Sequence, residues 1–111
     1  MRIWRGSELR ERSDPFTVLE TTQRTQFAFM TLQPGGESGE FGNEHGGSDQ
    51  WLLVLEGEGE AVGESGTQKI APGDLVLIPA PEEHQFKCTG SAPLKTITFY
   101  GPPSYDPSER E

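Results

Sequence analysis

At 111 residues with a formal net charge of -9, this chain has room for one hydrophobic core, since a second domain would bury too little apolar surface to offset its own ordering entropy. The acidic balance weighs against nucleic acid and anionic membrane as partners, because the summed field repels both. A single cysteine, Cys88, excludes an intramolecular disulfide, no stretch approaches the length that spans a bilayer, and the Met-Arg-Ile-Trp start lacks the apolar core of a secretory signal, so cytoplasmic residence is the expectation.

Taken in order, residues 1–15 read as an N-terminal arm with an edge strand around Ile3-Trp4. The charged run from Glu8 to Asp14 is open between a helical turn and a loop. Arg2, Arg5, Arg10 and Arg12 gather positive charge there, but Glu8, Glu11 and Asp14 dilute it, the pattern of a solvated face. Phe16 to Glu20 and Thr25 to Gln33 are rich in β-branched and aromatic residues, and Gln26, Ala28, Met30 and Leu32 alternate with Phe27, Phe29, Thr31 and Gln33. Two strands are predicted, the second stopped by Pro34-Gly35-Gly36.

Phe41 to His45 reads as extended, with Phe41, Asn43 and His45 on one face. Gly46-Gly47-Ser48-Asp49 is a turn by composition. In the strand from Gln50 to Leu55, the residues Gln50, Leu52 and Val54 oppose Trp51, Leu53 and Leu55; with apolar side chains on both faces, each face needs a cover. Glu58 to Val62 and Thr67 to Ile70 form a hairpin across Gly63-Glu64-Ser65-Gly66. Leu75 to Ile78, His84 to Cys88 and Thr96 to Tyr100 complete the strands, and no sustained helical repeat occurs anywhere.

Eight or nine short strands in residues 16–100 predict an all-β fold, a closed or nearly closed jelly-roll barrel, because closure removes the edges that so many strands would expose. Residues 101–111 contain Pro102, Pro103 and Pro107 and read as a Pro-rich tail, draped or disordered.

Two stretches share a distinctive spacing. The first runs through a Gly-rich approach to Asn43, Glu44 and His45, then four residues, Gln50, six residues and Gly57. The second runs Gly73, five residues, Pro79, Ala80, Pro81, two residues, His84, three residues and Cys88. Over roughly Pro34 to Phe99 this resembles the two boxes of the cupin superfamily, small jelly-roll barrels that often hold a metal. The family's ligands are three histidines and a glutamate, so the resemblance places a divalent transition metal (Zn, Mn, Fe or Ni) at Asn43, His45, Gln50 and His84. Pro81 and Cys88 stand where the family has Gly and Asn.

Asn43 and Gln50 replace the first histidine and the glutamate, which leaves His45 and His84 as strong ligands. Two imidazoles and two amide oxygens are a wholly neutral set, and a divalent cation in a partly desolvated pocket would be held weakly. Three readings are open: a weakly held metal completed by water or substrate, a metal-free small-molecule site that uses the same four side chains as hydrogen-bonding groups, or a structural polar cluster. Glu40, Glu44 and Asp49 lie close in sequence as further carboxylates. Phe41, Leu52, Phe86, Met30 and Cys88 are expected to line the pocket, with Cys88 an inert buried thiol.

The resemblance implies a metal-dependent enzyme of dioxygenase, isomerase or decarboxylase type, with no catalytic residue assignable. The alternative is a non-catalytic small-molecule binding or sensing barrel without tightly bound metal; fold resemblance alone does not choose between them. The expected partners are a small-molecule ligand and a second copy of the chain in a homodimer.

Overall fold

The computed structural model describes residues 1–42 and 46–105. Turn residues punctuate the chain into eight strands: β1 (Phe16–Thr21), β2 (Gln26–Leu32), β3 (Asp49–Glu56), β4 (Gly59–Gly63), β5 (Gly66–Ile70), β6 (Leu75–Ile78), β7 (His84–Cys88) and β8 (Leu94–Gly101). They assemble into two antiparallel sheets, one in the order β1-β2-β8-β3-β6 and the other β5-β4-β7. This is an all-β jelly roll, and no helix among the described residues is long and apolar enough to cross a membrane.

Alternation decides which side chains fill the space between the sheets. Leu52 and Val54 of β3, Leu32 of β2, Leu94 of β8, Ile78 of β6, Ile70 of β5, and Phe86 and Cys88 of β7 form one buried cluster. One turn into this core admits only glycine. Gly57 has φ +84, and a β-carbon there would collide with the Pro93 carbonyl oxygen, so the position tolerates no side chain.

The larger sheet is apolar on its outer face as well, and the N-terminal arm covers part of it. The charged run resolves into a six-residue helix, α1 (Gly6–Glu11), which has no side-chain cap. So short a helix is not stable by propensity; it is held by Leu9, which is buried with Phe29 and Ile97 against Leu19, Phe27, Leu53 and Leu55. The edge strand expected around Ile3-Trp4 does not form. Residues 1–5 pair with no strand, and Trp4 instead packs edge-on against Phe27, with ring centroids 5.5 Å apart, a favourable aromatic contact on the outer face of the sheet.

The tail is draped rather than loose as far as it is described. Gln26, an amide on the inner face of β2, accepts hydrogen bonds through Oε1 from the backbone N–H groups of Ser104 (3.1 Å) and Tyr105 (2.8 Å). Its Nε2 donates to the Tyr105 carbonyl at 2.7 Å and to Thr21 Oγ1 at 3.0 Å. Four hydrogen bonds satisfy a buried amide completely and fix the segment after β8 across the end of the inter-sheet space.

Candidate functional site

The site is built on β7. His84, Phe86 and Cys88 face inward and are buried, while Gln85 and Lys87 alternate outward. The Gly-rich approach, residues 35–42, lies antiparallel along the free edge of this strand. Gly35 N–H donates to the Cys88 carbonyl (3.1 Å), Cys88 N–H to Gly36 (2.9 Å), Ser38 N–H to Phe86 (2.9 Å), and Gly42 and His84 exchange bonds of 3.2 and 2.8 Å. Ser38 Oγ accepts from the Phe86 N–H at 2.8 Å. Outward-facing side chains reinforce the seam: Gln85 Nε2 donates to the Gly39 carbonyl, and Lys87 pairs with Glu37 at 3.6 Å. Gly35, at φ +83, makes the left-handed turn that starts this run.

Across the interior, β3 presents Gln50, only 4% exposed. Thr98 of β8 donates its hydroxyl hydrogen to the Trp51 carbonyl at 3.2 Å, and therefore accepts from Gln50 Nε2 at 2.9 Å. That pair of bonds fixes the amide orientation, since a flipped amide would set its oxygen against an oxygen with no hydrogen left to give. Gln50 Oε1 is thus buried, with no hydrogen-bond donor among the described residues. Leaving a buried acceptor unmet costs about 1–3 kcal/mol.

His84, 8% exposed, has its Nδ1 3.1 Å from the Glu82 carbonyl oxygen. A carbonyl only accepts, so Nδ1 carries the hydrogen of this bond. The loop that carries Glu82 is itself pinned: Glu82 Oε2 accepts from the Glu64 N–H at 3.3 Å, and Glu64 Oε2 accepts from the Glu83 N–H at 3.0 Å. The tip of the β4–β5 hairpin and the β6–β7 loop hold each other, and with them the imidazole.

Gln50 and His84 line one cavity of about 470 Å³, together with Met30, Phe86, Phe16, Ser38, Glu37, Tyr100 and Tyr105 among others. Beside Gln50, whose cross-strand partner on β8 is Tyr100, the lining is aromatic. Tyr105 packs against Phe16 and Tyr100, with ring centroids 4.8 and 5.4 Å away, and is held there by Gln26. Glu37 and His84 are the lining residues that can carry charge; no Lys or Arg lines it among the described residues. A second cavity of about 480 Å³, between the β4–β5 hairpin and β6, meets the first at His84 and Phe86.

Of the residues singled out from the sequence, Gln50, His84, Met30 and Phe86 are brought to one cavity. Leu52 and Cys88 lie in the sealed core beneath it, and the Cys88 thiol donates to the Ala92 carbonyl at 3.3 Å. Phe41, expected in the pocket wall, is 42% exposed, because the approach segment is seated on β7 by its backbone and does not alternate as a strand. Asn43 and His45, with Glu44, lie outside the described residues. Gln26, Thr98, Tyr100 and Tyr105 were not read as site residues. Gln26 carried a signal, a polar side chain in the inward register of an otherwise apolar strand.

The fit to a metal follows from the donors. Gln50 contributes a neutral amide oxygen, and no group of three His, Cys, Asp or Glu side chains is placed to hold a metal ion among the described residues. Two of the four positions expected as ligands, Asn43 and His45, lie outside the described residues, and Glu37 is the carboxylate that lines the cavity among those described.

Comparisons agree with the architecture. The Cupin domain family matches residues 28–100. No curated protein matches. A Bacillus halodurans protein, BH2720, superposes with a TM-score of 0.86 at 26% identity, over 96% of this chain and 83% of that one. A sugar phosphate isomerase from a cupin superfamily, from Silicibacter pomeroyi, gives a TM-score of 0.63 at 25% identity over 72% of this chain; the match spans about half, 52%, of that longer protein. A predicted oxalate decarboxylase from Thermotoga maritima gives 0.69 at 22% identity, with 79% of each chain covered. With two antiparallel sheets in jelly-roll order, the two spaced boxes on β3 and β7 and the match over residues 28–100, the chain belongs to the cupin family.

Proposed function

We propose that this chain binds a small organic molecule in the cavity between its sheets, with Gln50 and His84 as the polar anchors and no tightly bound metal. The observation that carries this reading is Gln50 Oε1, a buried acceptor without a donor among the described residues, at the wall of a cavity of about 470 Å³. Cavities of that size lined by apolar side chains and a few oriented polar groups suit small ligands.

A metal-dependent enzyme is the second reading. The orientation of His84, whose Nδ1–H is engaged by a backbone carbonyl, favours it, because metal-binding imidazoles are commonly held in this way. The similarity to a sugar phosphate isomerase at 25% identity favours an isomerase over a dioxygenase or decarboxylase within it. Metal content separates the two. Protein purified without chelator or nickel resin is predicted to carry less than about a tenth of an equivalent of Zn, Mn, Fe or Ni. A stoichiometric metal that is lost in His84→Ala would overturn the metal-free reading and support the second.

The outer face of the larger sheet supports a second copy of the chain as partner. Trp51, Leu75, Leu77 and Phe99 are between 40% and 57% exposed, and the strand register makes them neighbours, with Trp51 opposite both Leu77 and Phe99. The band ends on β6, an edge strand, so a second copy would cover apolar surface and an unpaired edge together.

A further inference from the structure

Resting on the cavity reading above, we infer that the ligand is an uncharged planar molecule bearing an N–H or O–H donor, and that the site discriminates against anions. Two observations converge on this. Gln50, in the cavity lining, offers a fixed acceptor: Thr98 locks its amide so that Oε1, buried and without a donor among the described residues, is left to be satisfied. An acceptor in this position rewards a donor and penalises a carboxylate or phosphate oxygen, which would set lone pair against lone pair at low dielectric.

The charge balance points the same way. No Lys or Arg of the described residues lines the cavity, and its one carboxylate is Glu37, whose partner Lys87 sits outside on β7 at 3.6 Å. The segment from Glu37 to Glu64 contains eight acidic residues and no Lys or Arg. An anionic ligand would therefore enter against the local field with no Lys or Arg among the described residues to meet it. Beside Gln50, whose cross-strand partner on β8 is Tyr100, the lining suits a flat apolar body. Tyr105 is set against Phe16 and Tyr100 by the four hydrogen bonds of Gln26, which gives a ring a face to stack on. Tyr105 is thus a specificity-determining wall and Gln26 its positioning residue.

Benzamide and benzoate test this as isosteres, one neutral with N–H donors and the other an anion without any. Titrated calorimetrically into the full-length protein, benzamide is expected to bind at least about tenfold more tightly than benzoate, the loss that an unmet buried acceptor imposes. Gln50→Leu should abolish that preference, Gln50→Glu should retain benzamide and weaken benzoate further, and Tyr105→Ala should weaken both probes alike. The two Gln50 variants guard against misfolding in either one. Benzoate binding as tightly as benzamide, with both weakened by Tyr105→Ala, would overturn the ligand class while leaving the cavity reading in place. Binding of neither probe would overturn both.

Discussion

Gln50 is held by a hydroxyl that has already spent its hydrogen. Thr98 donates to Trp51 and accepts from Gln50, and this small relay turns an ordinary amide into a fixed acceptor. A carboxylate at the same position would restore the negative charge that a divalent cation needs. Gln50→Glu is accordingly predicted to tighten zinc binding by at least about tenfold over the wild type, measured by competition with a chelating dye. Unchanged affinity would place the side chain outside the cation's reach. The position of Gln50 was legible in the spacing of the first box. Its orientation was not, because Thr98 is 48 residues away and meets it only once β3 and β8 pair.

At the scale of elements, alternation and turn spacing located all eight strands, and β7 was legible to the residue because His84, Phe86 and Cys88 alternate cleanly with polar neighbours. Phe41 misled because the Gly-rich approach behaves as a seam and not as a strand: its backbone is paired to β7 while its side chains follow irregular turns. The segment after β8 was hidden for a different reason. Its anchors, the N–H of Ser104 and both backbone groups of Tyr105, meet a single side chain on β2, a long-range contact that composition does not encode. Gln26→Leu removes all four bonds at once. It is predicted to destabilise the protein by about 1–3 kcal/mol in urea unfolding and to speed amide exchange at Ser104 and Tyr105. An unaltered exchange rate would show that Gln26 does not hold the segment.

For the whole molecule, the two faces of the larger sheet divide the labour. The inner face carries the cavity, and the outer face is shielded by α1 and Trp4 at the β2 end but left open from Phe99 through Trp51 to Leu77. The pattern was legible as apolar residues on both faces of β3; that the N-terminal arm would cover only part of the outer face was not. Leu77→Lys places a charge in the open band outside the lining of the cavity that holds Gln50, and is predicted to convert a sedimenting dimer to monomer. A wild-type protein that sediments as a monomer would contradict the assignment.

The central claim, that a small molecule sits beside Gln50 and His84, has a built-in reporter. The chain has two methionines: Met1 is fully exposed and Met30 lines the cavity. In protein labelled with ¹³C at the methionine methyls, titration with neutral small molecules, benzamide among them, is predicted to shift the Met30 signal saturably while Met1 stays in place. A Met30 signal that stays fixed at saturating concentrations, or moves only in step with Met1, would contradict the account.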